Sequence, residues 1–144
     1  MTISFDNCFD AREVRMKSAA ELAFVGDAVY ELLVRAHIAA NINTCPGNLH
    51  KRTVEYVCAE GQSEALTAIT SSLTEDELGV VRRGKNATKT AVPKNGNPKE
   101  YRLATALEAL FGYLYLSGQK TRLRELFCEI CEYQEKAGAA KQEV

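Results

Sequence analysis

The stretch that decides the fold is Ser18-Ala-Ala-Glu21-Leu-Ala-Phe-Val-Gly-Asp27-Ala-Val-Tyr30-Glu-Leu-Leu-Val-Arg-Ala36. A serine followed three residues later by a glutamate has the spacing of a capping box, so a helix is expected to open here. Leu22, Val25, Val29, Leu32, Leu33 and Ala36 fall on one apolar stripe of that helix. Ala20, Ala23, Phe24, Tyr30 and Val34 cover much of another face, which predicts a helix running to about Ala40 and buried on most sides. Asp27 lies among these apolar residues. A carboxylate in such surroundings needs a cation, a hydrogen-bond network or a proton.

Working outward, residues 1–17 lack sustained periodicity and read as a partly ordered lead-in. Cys45-Pro46-Gly47 marks a turn, and a helix is expected from about Leu49 to Ile69, with Gly61 a candidate break. Thr74 and Glu77 repeat the capping-box spacing and open a short helix that should end near Gly84. From Lys85 to Lys99, Pro93, Asn95-Gly96 and Asn97-Pro98 interrupt regular structure and predict a long loop. A helix restarts near Pro98, carries Tyr101, Ala104, Leu107, Phe111, Leu114 and Tyr115, and ends at Gly118. The last helix should begin near Thr121, with Leu123, Leu126, Phe127, Ile130 and Cys131 in helical register. From Gly138 the tail is polar and expected to fray. The expected fold is all-α, one domain over residues 18–137 built from five to seven helices.

The second helix of interest repeats the anomaly of the first. Glu108 lies one turn from Ala104 and Phe111 and beside Leu107, again an acid on an apolar face. An arginine such as Arg35 or Arg102, or a tyrosine hydroxyl, would satisfy either acid internally. As a pair near a basic loop they also suit a magnesium ion, which binds through one or two carboxylates, water and substrate phosphate. His37 and His50 fit no triad, and no nucleotide-binding glycine loop or catalytic cysteine signature is present.

Bulk properties narrow the class. The chain has 144 residues, 46% of them hydrophobic and 26% charged, as in an ordinary globular domain. The amino terminus has no apolar signal core and no segment is long enough to span a bilayer, so a cytoplasmic protein is expected. Five cysteines without framework spacing read as free thiols, and Cys128 and Cys131 as core packing rather than a zinc or redox pair. The net charge of −1 conceals a strong asymmetry. Residues 82–102 hold Arg82, Arg83, Lys85, Lys89, Lys94, Lys99 and Arg102 against Glu100, a local net of +6, while the rest of the chain carries −7. Such a concentration is either a solvated loop or an electrostatic footprint for an anionic partner.

The run from Glu21 to Tyr30 resembles the signature helix of the ribonuclease III family, and the run from Ala106 to Tyr115 is similar to that family's second acidic helix. Their order and separation match as well. Two departures stand out. Ala23 occupies the position where larger members usually carry a glutamate, and Thr105 the position of an aspartate. With no room for a double-stranded-RNA-binding domain after the catalytic one, the pattern resembles Mini-ribonuclease III, the short branch of the family. Leu49-His-Lys-Arg52, Arg82-Arg-Gly-Lys-Asn86-Ala, Pro93-Lys-Asn95 and Tyr101-Arg102 extend the resemblance over roughly residues 18–131.

The resemblance implies a helical homodimer that cuts both strands of an RNA duplex, with Asp27 and Glu108 as metal-binding catalytic acids holding Mg²⁺, or Mn²⁺ in its place. It implies a role in maturing the terminal stem of the 23S ribosomal RNA precursor, with a ribosomal protein as a possible presenter of the substrate. Phe24 matches a position that enters a socket on the partner subunit, with ordinary core packing as its alternative. Thr105 is expected to support the site through a water, and Glu31 to form a salt bridge. RNA affinity is expected from Lys51, Arg52, Arg82, Arg83, Lys85, Asn86, Lys89, Lys94, Lys99 and Arg102. The competing function is a non-catalytic double-stranded-RNA-binding or ribosome-assembly module of the same fold.

Overall fold

The computed structural model describes Phe5 and residues 9–41, 45–87 and 92–142, with no strand among them. Seven α-helices follow one another: α1 (Ala11–Met16), α2 (Ala19–Asn41), α3 (Pro46–Val57), α4 (Ala59–Ile69), α5 (Glu75–Asn86), α6 (Pro98–Leu116) and α7 (Lys120–Gln142). A 3-10 turn, Thr70–Ser72, links α4 to α5. Both expected capping boxes form. Ser18 and Glu21 exchange hydrogen bonds of 3.1 and 2.7 Å at the start of α2, and Thr74 and Glu77 bonds of 3.2 and 2.9 Å at α5.

α6 is the central element, packed against α2, α4 and α5. Its closest neighbour is α2, and two glycines explain the approach. A Cβ placed on Gly26 would overlap the Glu108 carbonyl, and one on Gly112 would overlap the Leu22 carbonyl. The helices therefore cross backbone to backbone, antiparallel, with Leu22 meeting Gly112 and Gly26 meeting Glu108. On one side of this crossing lies the main core, where Tyr30 and Phe111 meet edge to face at 5.2 Å among Leu66, Ile69, Leu107, Leu110 and Ile130. A smaller cluster of Val14, Leu22, Ala23, Val80, Ala109 and Leu116 lies on the other side.

Four features differ from the sequence reading. Residues 11–16 are helical, because Asp10 and Glu13 make a capping box of their own and Val14 is buried. The long helix expected from Leu49 to Ile69 breaks at Cys58, not at Gly61. Cys58 is extended and its sulfur accepts from the Gly61 N–H at 3.3 Å, while a Cβ at Gly61 would overlap the Glu55 carbonyl. That glycine thus permits the tight passage between α3 and α4 without breaking either helix. α7 continues through the polar tail to Gln142. Finally, α2 is not buried on most sides. Its inward stripe is Ala19, Leu22, Ala23, Gly26, Tyr30, Val34 and Ile38, which leaves Phe24 83% and Leu32 62% exposed. Periodicity shows that both faces are apolar, but not that only one is covered within the subunit.

Candidate active site

The Gly26–Gly112 crossing sets the site. Asp27 follows the glycine of α2 that packs on the Glu108 backbone, so the two acids are brought to one place by the helix crossing. Glu108 is half-buried, and its carboxyl is pushed up to about 7, first by burial and then by the negative charge of Asp27. The side chain of Gln62, a buried residue of α4, opposes that rise. Asp27 is exposed, in contrast to the expected burial, and stands on the edge of the uncovered α2 face. Its pKa is also raised, by partial withdrawal from water and then by the charge of Glu31. Among the described residues, no basic side chain forms an ion pair with either acid. Arg35, a candidate partner in the sequence, instead holds Glu31 at 2.8 Å. Arg102 lies in the basic recess described below.

Two like charges, one half-buried and neither neutralised, are suited to a small hard cation. No group of three or more His, Cys, Asp or Glu side chains able to hold a metal is found among the described residues. A pair of carboxylates is nonetheless the usual protein share for Mg²⁺, which retains waters and takes substrate phosphate oxygens. The donor set fits such an ion.

The two positions that depart from the larger enzymes are built into the fold. Ala23 is buried in the smaller apolar cluster with Val14 and Val80. Thr105 is partly buried, and its hydroxyl donates to the Tyr101 carbonyl at 2.9 Å, one turn back on its own helix.

The basic residues divide into groups. Lys85, Asn86, Lys99 and Arg102 line one recess of about 450 Å³ where α5 ends and α6 begins. Arg102 is about 9 Å along α6 from Glu108 at the usual rise per residue. Lys94 is exposed in the loop, beside a turn closed by the Gly96 N–H donating to the Pro93 carbonyl at 2.7 Å. Arg82 is exposed on α5, whereas Arg83 donates to the Lys17 carbonyl at 2.6 Å and ties α5 to the end of α1. Lys51 and Arg52 are exposed on α3, at a separate cleft between α3, α4 and α7, where Arg52 pairs with Glu55 at 3.6 Å. Lys89 lies outside the described residues.

Two features escaped the sequence reading. Gln62 is one, although the sequence held a signal: it occupies the position from which Ala65, Leu66 and Ile69 follow at apolar helical spacing. The other is Arg122, which grips the buried Glu77 carboxylate through two bonds of 2.9 Å and joins α7 to α5. Cys131 is buried, its thiol pushed up to about 12 by burial, but Cys128 is exposed, so the expected core packing holds for Cys131 alone.

Comparison with known proteins agrees with this architecture. Residues 20–119 match the model of the ribonuclease III domain. The Mini-ribonuclease 3 of Thermoanaerobacter sp. is 47% identical over 105 residues, 73% of this chain and 74% of that one. That of Brevibacillus brevis is 44% identical over 115 residues, 80% of this chain and 86% of its own. A crystal structure of a Fusobacterium nucleatum protein superposes with a TM-score of 0.75 at 31% identity, covering 85% of this chain and 98% of that one. With the signature helices crossed at two glycines and an acid from each brought together, the chain belongs to the ribonuclease III family of endoribonucleases, in its Mini-ribonuclease 3 branch.

Proposed function

We propose that this protein is a metal-dependent endonuclease of double-stranded RNA, acting as a cytoplasmic homodimer on the terminal stem of the 23S ribosomal RNA precursor. The observation that carries the reading is the convergence of Asp27 and Glu108 at the α2–α6 crossing, without a basic partner among the described residues. These two acids would hold Mg²⁺, or Mn²⁺ in its place. Bound there, the ion would act as a Lewis acid on the scissile phosphate and lower the pKa of water. Water attacks phosphorus, the bond to the ribose O3′ breaks, and the products are a 5′-phosphate and a 3′-hydroxyl.

The chain's own residues supply the rest. Lys85, Asn86, Lys99 and Arg102 form a polar, mainly cationic recess suited to backbone phosphates, and Lys94 extends that charge into the loop. Such contacts suit a duplex recognised by shape and phosphate position. Phe24 and Leu32 leave an apolar stripe on α2 that needs cover, and a second copy of the same helix is the proposed cover. Phe24 is exposed and takes no part in the subunit core, which supports this reading over ordinary core packing. Thr105 is proposed to support the site through a water, and a ribosomal protein to present the natural substrate.

The test uses Asp27→Asn and Glu108→Gln on a long RNA duplex with Mg²⁺. Both should bind RNA and dimerise as the unmodified protein does, with cleavage lost. Normal cutting by both variants would overturn the site, and 2′,3′-cyclic phosphate ends would overturn the choice of nucleophile. An unmodified protein that binds the duplex and never cuts it would favour the non-catalytic module.

A further inference from the structure

The outward face of α2 carries charge as well as apolar side chains. At about 100° per residue, Glu21, Phe24, Ala28, Leu32 and Arg35 fall within about 80° of one another. Phe24 and Leu32 are exposed, and the Glu21 and Arg35 side chains are each more than half exposed. Ala28 lies midway between Phe24 and Leu32, and also midway between Glu21 and Arg35. An acid and an aromatic ring on one side of it thus match a base and an aliphatic side chain on the other. A small residue at that centre lets two such helices approach closely.

At its Glu21 end the stripe runs into a recess of about 230 Å³ between α1 and α2, lined by Phe9, Glu13, Met16, Lys17 and Glu21. Two carboxylates stand there against one base, Lys17, which lies 4.0 Å from Glu21 and over the Phe9 ring. Apolar walls with an excess of acid suit a guanidinium, whose flat face stacks while its edges bind carboxylates. Arg35 supplies such a group at the other end of the stripe. Its Nε and Nη2 donate to one oxygen of Glu31 at 3.0 and 2.8 Å, which leaves Nη1 for a second acceptor.

We propose that two copies of the chain pair antiparallel along α2 about Ala28, with Arg35 of each copy entering the α1–α2 recess of the other and meeting Glu21. Phe24 of each copy then packs against Leu32 of the other. The inference rests on the homodimer reading given above and adds its register. In a two-fold contact every such pairing occurs twice. Asp27 falls about 60° outside the stripe. A two-fold axis normal to the paired helices keeps both Asp27 rims on one side of the dimer.

The experiment is sedimentation equilibrium of the full chain with charge reversals at the two positions. Arg35→Glu and Glu21→Lys should each raise the dimer dissociation constant at least ~10-fold, since each places two like-charged contacts in the dimer. The double variant should return to within ~3-fold of the unmodified protein. Residues 21 and 35 are about 21 Å apart along one helix, so recovery can come only from contact between subunits. A double variant no tighter than the weaker single one overturns the register, as do single reversals that dimerise normally while Phe24→Arg is monomeric. An unmodified chain that stays monomeric at every concentration overturns the homodimer reading, and this proposal with it. If Glu21→Lys loses its helix cap and does not fold, Glu21→Gln replaces it, because glutamine also serves at that capping position. Combined with Arg35→Gln, it should then weaken the dimer no further than either change alone, and additive losses overturn the inference.

Discussion

Glu108 is the residue at which stability and function pull apart. Its carboxyl, ordinarily near 4.5, is pushed up to about 7 in the folded chain. Between these values the native state holds a proton that the unfolded state has lost, so stability falls as pH rises through the interval. Glu108→Gln removes the charge and keeps the length of the side chain. The metal-free variant should melt above the unmodified protein at pH 8 in EDTA, and this advantage should shrink toward pH 5, where Glu108 is itself protonated. A difference in melting temperature that does not change with pH would contradict the assignment. Adding Mg²⁺ at pH 8 should favour the unmodified protein, because only the ionised pair gains from the ion. The identity of both acids was readable in the sequence as charge placed among apolar neighbours. The exposure of Asp27 was not, because the apolar residues around it include Phe24, which faces outward.

At the scale of elements, the helices were legible wherever a local signal marked them. Ser18 with Glu21, Thr74 with Glu77, and Pro98 each open a helix where their spacing says they should. What local spacing could not show was contact between distant elements. Gly26 and Gly112 read as ordinary members of their helices, and only the crossing reveals that neither position tolerates a side chain. Gly26→Ala would drive a methyl group into the α6 backbone, which cannot rotate aside. The expected cost, about 3 kcal/mol or more, lies at the upper end of overpacking effects and should appear as a lower urea midpoint. Arg122 was hidden for the same reason, its partner being on another helix. Removing it with Arg122→Ala leaves the buried Glu77 carboxylate without its guanidinium, at an expected cost of about 3 kcal/mol near neutral pH. Arg122 and the Thr74 cap together hold Glu77 below its usual value against the effect of burial, so the stability from this group is present above about pH 4.5 and lost in acid. The Arg122→Ala deficit should therefore narrow as pH falls. A deficit independent of pH would show that packing, not charge, is what Arg122 supplies.

For the whole molecule, the informative quantity is where charge and apolar surface lie relative to each other. A net charge of −1 hides a basic stretch of +6, and the fold gathers Lys85, Lys99 and Arg102 into one recess on α5 and α6. Phe24 and Leu32 expose an apolar stripe on α2, the helix that also carries Asp27. If two copies cover that stripe, both recesses and both acid pairs serve a single duplex. RNA binding then depends on dimerisation through charge alone, without any residue shared between the two functions. Phe24→Arg should give a monomer in sedimentation equilibrium with an unchanged helical spectrum, since the position is outside the core. For binding to a duplex long enough to reach both recesses, the logarithm of affinity should fall linearly with the logarithm of salt concentration, each neutralised phosphate adding roughly 0.9 to the slope. The monomeric variant engages half as many phosphates, so its slope should be about half that of the dimer. Adding Lys99→Ala to either form should lower the slope further, by twice as much in the dimer as in the monomer. Equal slopes for Phe24→Arg and the unmodified protein would mean that one subunit binds the duplex alone, and the proposed dimer would lose its role in recognition.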